Sequence, residues 1–199
     1  MLWALACGKF FKLAFYSSQF IPTAISATGD GTNPMPTQTA RNFRTGIAGL
    51  RAALLELPPA LADVPWRAGG WTRKEIVGHL LDSASNNRQR FVRAAIDGNY
   101  SGPGYAQDAW VAAHGYRDVA WEALLRWWRV EHEILMAAVD RIPEERLEAS
   151  CVIGDDEPVT LRVLIEDYLH HQQHHFRQLQ ADESAPWVHG NCKRKKARP

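Results

Sequence analysis

Cysteine is scarce in this 199-residue chain: Cys7, Cys151 and Cys192 lie far apart and are odd in number. Neither a disulfide framework nor a thiolate zinc site is indicated, and a reducing, cytoplasmic setting is the expectation. Charge of one sign is lacking too. With 23 basic and 22 acidic side chains the net charge is +1. That gives no bulk field for holding nucleic acid or a membrane, and no nucleic-acid partner is expected. Nor is there an uninterrupted apolar run of the roughly 18–20 residues that a membrane-crossing helix requires. The nearest approach, the aromatic N-terminus MLWALACGKFFKLAFYSSQF, is broken by Lys9 and Lys12. Several catalytic signatures are missing as well: there is no HExxH, no Gly-rich phosphate loop and no G-x-S-x-G elbow. No internal repeat is found, and no convincing series of strands.

The first residues also lack the charged start of a secretion signal, although the small residues at 23–27 resemble a cleavage site. Three readings stay open for them: a removed leader, a non-native extension ahead of a working chain that starts near Met35, and an interfacial helix with Trp3, Phe10 and Leu13 on one side. The expected division is a flexible extension and linker at 1–37, a folded domain at 38–182 and a basic tail at 183–199. The tail's Lys/Arg run is read as a solvated segment, with contact to nucleic acid as the alternative.

What the chain has is apolar periodicity, with 46% hydrophobic and 10% aromatic residues. Over 37–57, Phe43, Ile47, Leu50, Leu54 and Leu57 recur at helical steps until Pro58-Pro59 stops them. A second helix starts at Thr72, which forms a capping box with Glu75 while Trp71 and Ile76 make a hydrophobic staple, and runs to about 96. Its apolar stripe is Val77, Leu80, Leu81, Ala84, Phe91, Val92 and Ala95. Residues 98–107 read as a Gly/Pro/Tyr loop, and 106–115 as a short helical turn. A third helix spans about 118–142, with Trp121, Leu124, Leu125, Trp128, Leu135 and Val139, and stops at Pro143. Residues 151–159 read as a loop or short hairpin, and a fourth helix covers 160–180. The expectation is an all-α, four-helix bundle in which sequential helices are neighbours, with a longer crossover between the second and third as the variant.

Histidine is concentrated in two places. In His170-His171-Gln172-Gln173-His174-His175, both the 170/174 and 171/175 pairs have the one-turn spacing that lets two imidazoles share a metal ion. The apolar face of Leu161, Leu164, Ile165, Tyr168 and Leu179 selects between them. His171 and His175 continue it, whereas His170 and His174 lie on a polar side. Two imidazoles side by side on a buried face need something to satisfy their nitrogens, and a divalent metal does so. His79 on the second helix is the candidate third ligand. It begins a polar row, His79, Ser83, Asn86, Arg90, that is either a solvated face or the wall of an internal cavity. Asp82 and Asp167 are either outer partners that fix a ligand's tautomer or ordinary surface charges.

These residues also resemble a known family. Trp71-Thr-x-x-Glu-x-x-x-His79-x-x-Asp82-Ser83-x-x-Asn86-x-x-x-Arg90, with His171-x-x-x-His175-x-Arg177-Gln178-Leu179 downstream, looks like the DinB superfamily over roughly 40–182. The nearer branch is the YfiT-like group of metal-dependent hydrolases, which includes the bacillithiol transferases. The resemblance implies a four-helix bundle that holds one divalent metal through His79, His171 and His175, and Tyr105-x-x-Asp108-x-Trp110 resembles a family loop near the site. It also implies a homodimer. Phe176 departs from the pattern, since many relatives have Arg directly after the histidine. Three ligands leave a coordination position open, the mark of a catalytic site. Zinc or nickel suits neutral imidazoles. The implied chemistry is activation of water or of a low-molecular-weight thiol against a small electrophile. A general base would come from Asp82, Asp108, Asp155 or Asp156. The competing expectation is a non-catalytic metal-binding or dimerisation module with Trp127-Trp128 on its surface. It calls for a filled cavity or a fourth protein ligand.

Overall fold

The structure is a computed structural model that describes residues 35–181. The N-terminal stretch with Cys7, and the basic tail with Cys192, lie outside the described residues. Thr37 caps the first helix, α1 (Gln38–Leu55), by accepting the Ala40 N–H at 3.1 Å. Phe43, Ile47, Leu50 and Leu54 are its buried face. The expected capping box opens α2 (Arg73–Asp97): Thr72 Oγ1 accepts the Glu75 N–H at 3.2 Å, and Glu75 Oε2 accepts the Thr72 N–H at 2.8 Å. Gly98 closes α2 with a φ of 78°, a left-handed conformation that glycine adopts without strain.

β1 (Asn99–Gly102) follows at once, then α3 (Gln107–His114), α4 (Trp121–Val139), β2 (Ser150–Ile153), β3 (Val159–Thr160) and α5 (Leu161–Gln180). β1 pairs in parallel with β2, Asn99 opposite Ser150, and β2 pairs antiparallel with β3. This small sheet corrects the reading of 98–107 as loop and bears out the hairpin option for 151–159. Strands of four, four and two residues are too short to display an alternation, and β1 reads Asn-Tyr-Ser-Gly. The stretch at 106–115 is likewise more than a turn: it holds an eight-residue helix closed by Gly115 at a φ of 61°. A 3₁₀ turn at Tyr116–Asp118 delays α4 to Trp121.

Four long helices make the bundle, but their order differs from the expectation. α2 packs on α4 and α5, and α1 packs on α4 and α5. The sequential pairs α1/α2 and α4/α5 therefore sit across the bundle from each other instead of side by side. Their connections are long enough to cross it: Glu56 to Thr72 in one case, and a segment carrying β2 and β3 in the other. The core joins all four helices through Phe43, Leu80, Phe91, Leu124, Trp128 and Ile165, among others. Val92, expected on the buried stripe, is exposed, and Ala94 takes its place. Among the described residues no helix is long and apolar enough to cross a membrane.

Candidate metal centre

The helix carrying His79 is enclosed on several sides. From Ile76 to Ala84 every residue of α2 is buried, because α3, α4, α5 and β1 all pack against it. Amphipathy assigns a polar row to solvent only when one face of a helix is free, and here none is over that span. The row His79, Ser83, Arg90 thus forms an internal wall: these residues are 0%, 3% and 7% exposed. Gly78 permits this packing, since a Cβ there would collide with the ring of Tyr116.

His79 meets α5 at the two histidines that periodicity selects. One ring nitrogen from each of His79, His171 and His175 lies within 4.8 Å of the other two. His79 Nε2 and His171 Nε2 are 3.1 Å apart. The outer nitrogens differ in their surroundings. His175 Nδ1 lies 2.7 Å from Gln178 Oε1, so it carries the proton and donates, which leaves Nε2 as the lone-pair atom. His171 Nδ1 lies 3.4 Å from Ser83 Oγ. His79 Nδ1 is buried without a partner, and the Trp71 ring covers the imidazole at 5.0 Å between centroids. Burial, reinforced by the neighbouring imidazoles, holds His79 down to about 2 and His175 to about 3. Burial and His174 hold His171 to about 4. All three rings are neutral at physiological pH, the state a metal ligand must have. Ligands about 2.0–2.1 Å from a tetrahedral ion stand roughly 3.3 Å apart, so this donor set fits one small divalent ion after slight ring rotation.

The other sequence candidates scatter. Asp82 is buried but does not bond His79. Its Oδ1 accepts Tyr116 Oη–H at 2.6 Å and faces His114 Nδ1 at 3.2 Å, while its Oδ2 has no partner. Burial pushes its carboxyl up. Asn86 is half-buried and turns back to the Asp82 carbonyl at 2.8 Å. Asn87 faces inward in its place, with Nδ2 2.9 Å from the Ser83 carbonyl. A cavity of about 470 Å³ opens beside His171, lined by Ser83, Asn87 and Arg90 of α2, by Tyr105, and by Asp167 and Tyr168 of α5. The β2–β3 hairpin completes it with Cys151, Asp156 and Glu157. Asp167 is exposed on that wall and is not bonded to His171. Asp108 and Asp155 are exposed and do not line the cavity, and Gln107 occupies the place beside Asp108. His170 is exposed and His174 is half-buried, outside the three-nitrogen group.

Tyr105 is hydrogen-bonded to Ser83, and burial pushes its phenol up to about 12. Gln178 stands out in the sequence only as part of the family pattern, and Asn87, Tyr116 and Gln172 do not stand out. The available signal was a one-turn offset, of Gln178 from His175 and of Asn87 from Ser83. Tyr116 and Gln172 offered none, because their roles depend on contacts across helices. Gln172 belongs to a closed circuit. Trp128 Nε1–H donates to Gln172 Oε1 at 3.3 Å, Gln172 Nε2–H to Tyr168 Oη at 3.0 Å, and Tyr168 Oη–H to His132 Nε2 at 2.8 Å. His132 Nδ1–H returns to the Trp128 carbonyl at 2.7 Å. The last bond fixes the His132 tautomer, since a carbonyl only accepts.

Comparison with known proteins bears on this arrangement. The family model described as the DinB superfamily matches residues 42–179. Curated relatives from Bacillus mycoides and Bacillus cereus, each named "Putative metal-dependent hydrolase", are 34% identical over 61 residues. That match spans 31% of this chain and 35% of each relative, about a third of the relatives' length. Among solved structures, YfiT from Bacillus subtilis, described as "a probable metal-dependent hydrolase with an unusual four-helix bundle topology", aligns with a TM-score of 0.63 at 22% identity. The alignment covers 71% of this chain and 82% of that one. A mycothiol-dependent maleylpyruvate isomerase aligns at 0.60 and 16% identity over 72% of this chain and 60% of its own. Both likenesses are of fold.

Proposed function

The chain belongs to the DinB superfamily, and from that premise we propose that it is a metal-dependent enzyme acting on a small electrophilic molecule, with His79, His171 and His175 as the ligands of one zinc or nickel ion. The observation that carries this reading is the group of three neutral imidazoles beside a cavity of about 470 Å³. Cavities of this size hold small molecules. Among the described residues no fourth His, Cys, Asp or Glu joins the group, which favours an open position over a closed structural site. Both points weigh against a non-catalytic module.

Such an ion, when bound, supplies Lewis acidity, bringing a water or thiol pKa toward neutrality. The chain's own residues do the rest. Gln178 orients His175 by taking its Nδ1 proton in a hydrogen bond. Ser83 stands between His171 and Tyr105 and aligns a polar group entering from the cavity. Trp71 keeps water from His79. The raised pKa of Asp82 and its unpartnered Oδ2 suit a proton-holding role, and Asp82 is buried where Asp108, Asp155 and Asp156 are exposed. Hydrolysis is supported by the relatives' names. Thiol transfer is the second reading, supported by the fold shared with the mycothiol-dependent isomerase.

Elemental analysis tests the site. Wild-type protein is expected to carry about one zinc or nickel per chain, and His175→Ala or His79→Ala to lose it. Full stoichiometry in either variant refutes the ligand set. A homodimer and a cytoplasmic setting complete the proposal. Trp127, Val130 and Ile134 form an exposed row on α4, suited to a second copy, and Cys151 is a free buried thiol. Trp127→Arg is expected to halve the mass seen by light scattering; an unchanged dimer mass removes α4 from the interface.

A further inference from the structure

The cavity also holds a buried charge that is not ion-paired among the described residues. Arg90 is 7% exposed, and it takes part in none of the ion pairs among the described residues. Its hydrogen bonds go to neutral acceptors: Nη1–H donates to Asn87 Oδ1 at 3.3 Å and Nη2–H to the Pro103 carbonyl at 3.2 Å. A guanidinium has five N–H donors, so most of the fork is left for something else. Placing a cation in a buried wall is costly unless an anion meets it there. Arg is suited to a planar carboxylate, which it binds through two parallel N–H bonds.

Arg90 also shares α2 with His79 and a cavity wall with His171. Ser83, which touches His171, and Arg90 are seven residues apart on α2, about 10 Å along the helix axis. Ile153, Val159, Val163 and Leu164 line the cavity as well, so it has apolar wall for the body of a molecule. Exposed Glu157 and Asp167 stand on the outer side of the same cavity, together with Asp156. Those carboxylates repel a doubly charged anion such as phosphate more than a singly charged one.

We propose that Arg90 anchors the substrate by a carboxylate, so that the substrate is a singly charged organic acid whose reacting group lies toward the three histidines. The position of the reacting group rests on the three-histidine function proposed above. The anion site itself does not, so it is tested on metal-free protein. Chelator-treated wild type is titrated by ligand-observed NMR with hexanoate, with its neutral isostere hexanamide, and with inorganic phosphate. Hexanoate is expected to bind, hexanamide and phosphate to bind markedly less, and Arg90→Gln to weaken hexanoate about tenfold or more. Arg90→Lys, which keeps the charge but loses the fork, is expected to fall between. Hexanamide binding as well as hexanoate, phosphate binding better, or no detectable hexanoate binding overturns the proposal. So does an Arg90→Gln variant of unchanged affinity. If that variant does not fold, the three ligands on wild type still decide. Absence of metal from the purified protein would refute the metal function and leave this result standing.

Discussion

At the scale of single residues, the face of the α5 histidines was readable and the burial of His79 and the groups around it were not. His171 and His175 follow from a row of apolar positions along their own helix, a local property, and the structure places both beside His79. Burial of His79 was not local. It depends on how many elements cover α2, and a sequence window does not count neighbours. The same limit explains why the polar row names Asn86 when Asn87 faces inward, and why Asp82, open between a ligand's outer partner and a surface charge, is held instead by Tyr116. Gln178 yields a prediction at this scale. Its Oε1 is the acceptor that fixes the His175 ring, and outer partners of this kind change metal affinity by about 10–100-fold. Gln178→Ala is therefore expected to weaken zinc binding by that range in a competition titration, without moving the melting temperature of the metal-free protein. An affinity within twofold of wild type would show that His175 is oriented by other contacts.

At the scale of elements, helices with both a periodic face and a stop signal were legible. α1 ends before Pro58-Pro59, α2 opens on its capping box, and α5 is capped by Thr160 and runs to Gln180. The sheet was not legible, because its strands are short and the pairing of β1 with β2 joins residues about fifty positions apart. Helix order was also hidden: periodicity says which face is buried, not against which partner. The capping box gives the prediction here. Thr72→Ala removes the acceptor for the Glu75 N–H and half of a reciprocal pair, a loss of about 1 kcal/mol. Chemical denaturation of metal-free protein measures it. Because the cap starts the helix that carries His79, the variant is also expected to bind metal normally once folded. A loss well under 0.5 kcal/mol would mean that tertiary packing alone fixes the start of α2.

At the scale of the whole molecule, acid sensitivity follows from the closed hydrogen-bond circuit. Burial holds His132 at about 4, against about 6.5 for an unfolded histidine. Between those values the unfolded chain takes up a proton that the folded chain refuses, so the contribution to stability is intact above about 6.5 and declines as the pH falls toward 4. The decline is about 1.4 kcal/mol per pH unit for this one group. Tyr168 and Trp128 hold its two ring nitrogens. Unfolding free energies at pH 7 and 5 are expected to differ by about 2 kcal/mol less in His132→Asn than in wild type. Equal differences would show that His132 does not carry the effect.

The crossed order of the helices has one more consequence, for the making of the protein. Since α1 and α2 are not neighbours, and α4 and α5 are not either, α2 and α4 are the one successive pair of long helices that can bury their faces on each other as the chain is synthesised. The first 160 residues hold one of the three histidines, and the other two arrive together on the last helix. A chain that ends before α5 thus lacks two of the three proposed ligands. On the proposed ligand set, the site is complete only once α5 has joined the fold.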